Sequence, residues 1–242
     1  MSSEFGSDHN LRVSLRECRM VLERLMHVAK LDPGQVGSTR DSALYSAMLG
    51  LGGFASLRKN IQLLRASEQW QVTLDHDVQP MRLDCAGQHA WVIAPLLSDL
   101  LVDDVRCGGP GEISISGMVA PGEVRVVEPF LQKQGFTAEI SWDRVREVAR
   151  VSVRPMPIGF SRDPLDPVRR EGLMVPTTTW WDLFRLSSEA LAPDSFESRR
   201  HAGAIIVEAD GRVIGRQDED DTDLSLLAKQ LRGSAQDASL DH

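Results

Sequence analysis

The stretch "PDSFESRRHAGA", residues 193–204, gathers the side chains best suited to chemistry. Glu197 and His201 can each take up and return a proton, the imidazole near neutral pH and the carboxylate where its surroundings raise its pKa. Arg199 offers a planar two-donor fork that matches a carboxylate, and the Ser198 hydroxyl can add a hydrogen bond. Together they predict a site for an anionic, carboxylate-bearing metabolite, with Glu197 and His201 catalytic and Arg199 and Ser198 holding the substrate. The same residue types also build a plain polar joint: an Arg–carboxylate pair can tie a loop to its neighbour, and a serine can cap a short turn. An enzyme of small-molecule catabolism, a noncatalytic partner or assembly protein of such an enzyme, and a small-molecule binding module all fit these residues.

Other candidates have plainer explanations. Glu17 closes a capping box with Ser14, which accounts for a carboxylate at that position without catalysis. Cys85 and Cys107 lack a local signature linking either to a base, so inert thiols are expected. "CGGPG", residues 107–111, has neither the Lys-Ser/Thr of a phosphate-binding loop nor the spacing of a dinucleotide fingerprint, and reads as a turn. The acidic run "DEDDTD" at 218–223 lacks the arrangement of a calcium loop. It precedes a stripe of Leu224, Leu227, Ala228 and Leu231, where acids complement the positive end of a helix dipole. No two histidines fall at zinc-ligand spacing, so no metal and no cofactor are expected.

The elements that must position these groups begin with a helix. Leu15, Cys18, Leu22, Leu25 and Ala29 keep its period, and Asp32-Pro33-Gly34 stops it. Ser38 and Asp41 repeat the capping spacing before a second helix, "GLGG" ends that helix, and a third covers Phe54 to Leu64. From Trp70 the pattern changes: "WQVTLD" alternates as a strand, and "HAWVIAPLLSDLLVDDV" predicts a buried helix entered as extended chain before Pro95. Four segments follow, "EISISGM", "EVRVVEP", "FTAEISW" and "VARVSVRP", which predict an antiparallel meander with one packed and one wetter face. Residues 155–176 read as a long surface loop. A Trp-bearing helix capped at Thr179 and Asp182 comes next, then a hairpin around Asp210-Gly211.

The expected fold class is therefore α+β: an N-terminal helical unit packed with an antiparallel meander, then a C-terminal helix plus hairpin. Residues 1–10 are expected as a disordered arm, 11–215 as one domain with a helical part over 11–66 and a mixed part over 67–215, and 216–242 as an acidic tail with a short amphipathic helix. A net charge of −8 opposes binding to nucleic acid, whose affinity rests on neutralising phosphates. No apolar run approaches the ~18 residues of a membrane span and the N-terminus lacks a secretory pattern, so a cytoplasmic address is expected, with no membrane partner. The odd count of 3 cysteines argues for reduced thiols. The expected partners are an anionic small molecule or another metabolic protein, with homo-oligomerisation open.

The chain resembles an uncharacterised proteobacterial family, a domain of unknown function. The resemblance runs over most of residues 13–210 through the start "SLRE", the "LGLGG" stretch, the middle "WVIAPLLSDLL" and a Pro-rich segment before a Trp-bearing helix. Its specific part is the ending, matched at Pro193, Glu197, Ser198, Arg199, Gly203 and Ala204. The chain departs just afterwards, with "AIIVEADG" where relatives continue Gly-Ala-Gly and an acidic-asparagine run; either Glu208 or Asp210 replaces that acidic end, or the local geometry differs. The resemblance favours a site at Glu197 and Arg199 and implies no reaction.

Overall fold

The computed structural model describes residues 9–66, 71–143, 147–160 and 163–191, together with two strands at 206–207 and 213–214. Contacts divide the chain into two units, Met1–Leu191 and Ala192–His242.

Three helices open the first unit: α1 (Leu15–Val28), α2 (Pro33–Met48) and α3 (Leu57–Ala66). The Ser14–Glu17 capping box is present, the Glu17 amide donating to Ser14 Oγ at 3.3 Å and the Ser14 amide to Glu17 Oε2 at 2.9 Å. Asp32-Pro33 both ends the first helix and starts the second, which corrects the expected start near Ser38. Asp32 Oδ1 accepts from the Gly34 amide at 2.8 Å, and Pro33 occupies a first-turn position where no N–H is needed. At the far end of α1, the Arg65 guanidinium donates to the orphan Val28 carbonyl at 2.9 and 2.7 Å, joining α3 to α1.

The second layer is a five-stranded sheet built from β2 (Thr73–Asp75), β3 (Met81–Asp84), β4 (Glu112–Ser116), β5 (Phe136–Asp143) and β6 (Val148–Pro155), in the order β2-β3-β4-β6-β5. Between β3 and β4 runs α4 (Ala90–Arg106), so this pair is parallel while the other neighbours are antiparallel. The class is α+β, but the meander is corrected. "EVRVVEP" is a 3-10 turn (Pro121–Val126) running into α5 (Val127–Lys133), and β4 therefore pairs with β6. Val124 and Val126 alternate with Glu123 and Arg125 as in a strand, whereas Val124, Val127 and Leu131 keep a helical period, and Pro129 would break a strand ladder.

Two further expectations change. The helix over residues 90–106 is continuous through Pro95. The carbonyl that Pro95 cannot serve, four residues back at Trp91, accepts instead from the buried Ser42 hydroxyl at 2.7 Å. The expected loop at 155–176 contains α6 (Asp166–Glu171) and β7 (Leu173–Pro176), and β7 pairs antiparallel with β1 (Asn10–Val13). Next, α7 (Thr177–Ser187) starts directly after Pro176 rather than from a Thr179 cap. In the second unit β8 (Ile206–Val207) and β9 (Val213–Ile214) pair antiparallel, the expected hairpin across Asp210-Gly211. The expected tail helix lies outside the described residues.

One buried joint links the helices to the sheet region. Glu123, only 8% exposed, accepts from the Trp91 indole at 3.0 Å through Oε2 and from the Gly52 amide at 3.0 Å through Oε1. Gly53 has φ +47°, and a Cβ there would stand 2.9 Å from Ala47 Cα, so the close turn requires glycine. Beside this joint, the fully buried His89 caps α4 by accepting from the Trp91 amide at Nδ1, 3.1 Å away. The neutral ring then carries its proton on Nε2, which is buried without an acceptor among the described residues.

Burial pushes the His89 imidazole down to about 4 from 6.5. The folded protein favours the neutral ring, so its stability is complete above the unfolded value and is lost as pH falls toward the folded one. Between about pH 6.5 and 4.5 this group alone should cost roughly 2 kcal/mol. Urea denaturation across that range should show the slope in the parent and its loss in His89→Asn, which keeps a capping oxygen. Equal slopes would show that His89 is not the titrating group.

Candidate functional site

Strand alternation places one set of sheet residues inward and the other on the opposite face. Met81, Leu83, Ile113, Ile115, Ala149 and Val151 are buried in the same apolar cluster as Ile93, Leu97 and Leu101 of α4 and Leu131 of α5. The alternate positions, Arg82, Ser114, Ser116, Ser141 and Arg150, are exposed or half-buried on the other face. Register lines four of them up in one row: Arg82 is opposite Ser114, Ser114 opposite Arg150, and Arg150 opposite Ser141.

Twist turns this face into a trough of about 540 Å³, lined by Arg82, Ser114, Ser116, Ser141, Asp143 and Arg150, with Pro80 and Val148 at its sides. That size suits a small metabolite. Arg82 and Arg150 stand two strand spacings apart, about 10 Å at the backbone, with the Ser114 hydroxyl between them. Arg150 Nε lies 3.3 Å from Glu112 Oε1, an exposed pair of the kind that contributes little to stability. Arg82 forms no ion pair or side-chain hydrogen bond with another described residue. An unpaired guanidinium beside a second one and three hydroxyls makes an acceptor-seeking surface, fit for a carboxylate or phosphate. Asp143 sets a negative limit at one end. Among the described residues its lining offers two guanidinium groups, serine hydroxyls and one carboxylate, groups able to bind and orient an anion.

Sequence reasoning missed this site although half its signal was visible. The polar alternates of "EISISGM" and "VARVSVRP" announce a wet face, but the strand order that brings Arg82 beside Ser114 is not local. Glu197, Ser198, Arg199 and His201, the expected catalytic and substrate-binding residues, lie outside the described residues, as does the acidic run. Glu17 is structural: hydrogen bonds from the Ser14 hydroxyl and amide hold its carboxyl below the usual range. The "CGGPG" segment is a turn between α4 and β4, tied by the Gly111 amide donating to Asp104 Oδ2 at 2.7 Å. Among the described residues, no three metal-ligating side chains gather and no helix is long and apolar enough to cross a membrane.

No family model and no curated protein matches the chain. Among solved structures, malate dehydrogenase from Entamoeba histolytica is similar at a TM-score of 0.43 and 10% identity, over 55% of this chain and 40% of that one. A likeness that partial carries no activity across.

Burial separates the thiols. Cys18 and Cys85 are buried and pushed up to about 12 by desolvation, whereas Cys107 is exposed at the end of α4. Iodoacetamide should therefore alkylate Cys107 in the folded protein and reach the other two only after unfolding. Rapid labelling of Cys85 in the native state would contradict its placement and reopen it as a nucleophile.

Proposed function

We propose that the protein binds a small anionic metabolite, a dicarboxylate or a phosphate ester, on the open face of its sheet. Arg82 and Arg150 hold the anion, Ser114 and its neighbouring hydroxyls orient it, and Val148 and Pro80 cover its apolar part. The observation that carries this reading is the Arg82 guanidinium, unpaired among the described residues, in register with Ser114 and Arg150 across the floor of the trough. A guanidinium binds carboxylate or phosphate through two parallel N–H donors, and two such groups favour a dianion. The expectation of a carboxylate-bearing ligand is thus kept, with its charge partner moved to the sheet. The cluster of Glu197, Ser198, Arg199 and His201 is proposed separately, on residue chemistry alone, as a proton-transfer site, which Glu197→Gln should inactivate without loss of anion binding.

Thermal denaturation with succinate, citrate and inorganic phosphate tests the anion site. A ligand at about one hundred times its dissociation constant stabilises by about 2.7 kcal/mol, which for a chain of this size raises Tm by about 5–10 °C. The parent should show this shift with at least one of the three anions, and Arg82→Ala and Arg150→Ala should each lose most of it. Arg82→Lys should also bind poorly, because an ammonium cannot present the planar fork. A shift of equal size in the Arg82→Ala and Arg150→Ala double variant, or none in the parent, refutes the proposal.

A further inference from the structure

Strand β5 forms one edge of the five-stranded sheet, and no described strand pairs with its outer side. The opposite edge, β2, is only 3 residues long, and shortness of that kind protects an edge from further pairing. By contrast β5 runs for 8 residues without a proline or a lysine to block an added strand. Its ladder with β6 shows which groups point outward. The Met156 amide donates at 2.8 Å to the carbonyl of Gly135, the residue that the register sets opposite it. Bonded and non-bonded pairs alternate along an antiparallel ladder, so Thr137, Glu139, Ser141 and Asp143 bond to β6. Ala138, Ile140 and Trp142 therefore turn amide and carbonyl away from the sheet.

The side chains at this edge are also incompletely covered. On β6 the inward-facing Ala149 and Val151 are fully buried, whereas on β5 Ala138 and Ile140 are half-buried and Trp142 is 37% exposed. Ile140, Trp142, Val124 and Pro121 wall a mainly apolar groove of about 440 Å³ beside the edge, with the Arg125–Glu128 ion pair at its rim. The other face of β5 is polar and carries two acids, Glu139 and Asp143, with Glu139 bridged to Arg154 at 2.8 Å.

We propose that β5 pairs antiparallel with β5 of a second copy of this chain, about a two-fold axis at Ile140, so that the two sheets become one. Ala138, Ile140 and Trp142 then exchange backbone hydrogen bonds with the partner's Trp142, Ile140 and Ala138. Charge selects this register. With Ile140 opposite itself, Glu139 faces the partner's Ser141 and Thr137 faces the partner's Asp143. An axis at Glu139 would set that carboxylate against its own copy, and an axis at Ser141 would set Glu139 against the partner's Asp143. Like charges directly opposite are destabilising. On the apolar face the two Ile140 side chains meet, and each Trp142 lies across from the partner's Ala138, a small residue that leaves room for the indole.

Sedimentation velocity of the full chain across the micromolar range tests this, and should show a species of twice the 26.8 kDa chain mass. Ala138→Pro removes an outward amide and leaves the β6 ladder intact, so this variant should fold and sediment as a monomer. Two variants at the exposed Ser141 test the register independently, and they decide the matter should the proline variant fail to fold. Facing the partner's Glu139, the aspartate of Ser141→Asp should loosen the dimer and the lysine of Ser141→Lys should tighten it. Because the two-fold doubles each pair, their dissociation constants should differ about tenfold or more. A parent that stays monomeric, a dimer that survives in folded Ala138→Pro, or equal dissociation constants for the two Ser141 variants overturns the proposal.

Discussion

The hydrogen bonds that Trp91 and Gly52 donate to the Glu123 carboxylate are the constraint on which the first unit's arrangement depends. A carboxylate this deeply buried is tolerated only if donors replace its lost water. Meeting that requirement brings three distant segments together: the N-terminal end of α4, the glycine turn after α2, and the turn that leads into α5. Each is prepared locally. His89 caps α4, Gly53 permits the tight turn beside Ala47, and the left-handed Ala120, φ 55°, turns the chain into Pro121. Once α4 and α5 are held in this way, they cover one face of the five-stranded sheet. The polar face remains uncovered among the described residues, and the Arg82–Ser114–Arg150 row lies there.

What the sequence revealed follows from how local each signal is. The Ser14–Glu17 box, the stripe of α1 and the pairing of the strands on either side of Asp210-Gly211 depend on residues a few positions apart, and all three are present. The segment 123–129 misled because Val124 and Val126 alternate as in a strand while Val124 and Val127 also begin a helical stripe, and only its packing decides between them. Pro95 misled for a different reason. Its cost in a helix interior is offset by Ser42, a hydroxyl in another helix that no local pattern connects to it. The β1–β7 pair joins residues more than 150 positions apart, so the four-residue strand "LMVP" had no visible partner inside its Pro-rich surroundings.

The proposed anion site was legible only as a wet face. Ser114, Ser116, Arg150 and Ser141 alternate with apolar neighbours in ways a reader of single strands can see. The crossover through α4 sets β3 beside β4, and the return of β6 to the other side of β4 brings a second arginine into line. Both are properties of topology. A motif search centred on residues 193–204 selects residue types that form good sites, whereas the trough is assembled from ordinary strand residues whose chemistry emerges from register.

The central claim is that this register creates an anion site. Its most direct test is a titration of the isotope-labelled chain with succinate and with phosphate, the backbone amides followed by nuclear magnetic resonance. Binding at the trough predicts saturable shifts concentrated at Arg82, Ser114, Ser116, Ser141 and Arg150, with little change on the α4 side of the sheet. Shifts that never saturate, or that saturate at another surface while these residues stay still, would contradict it.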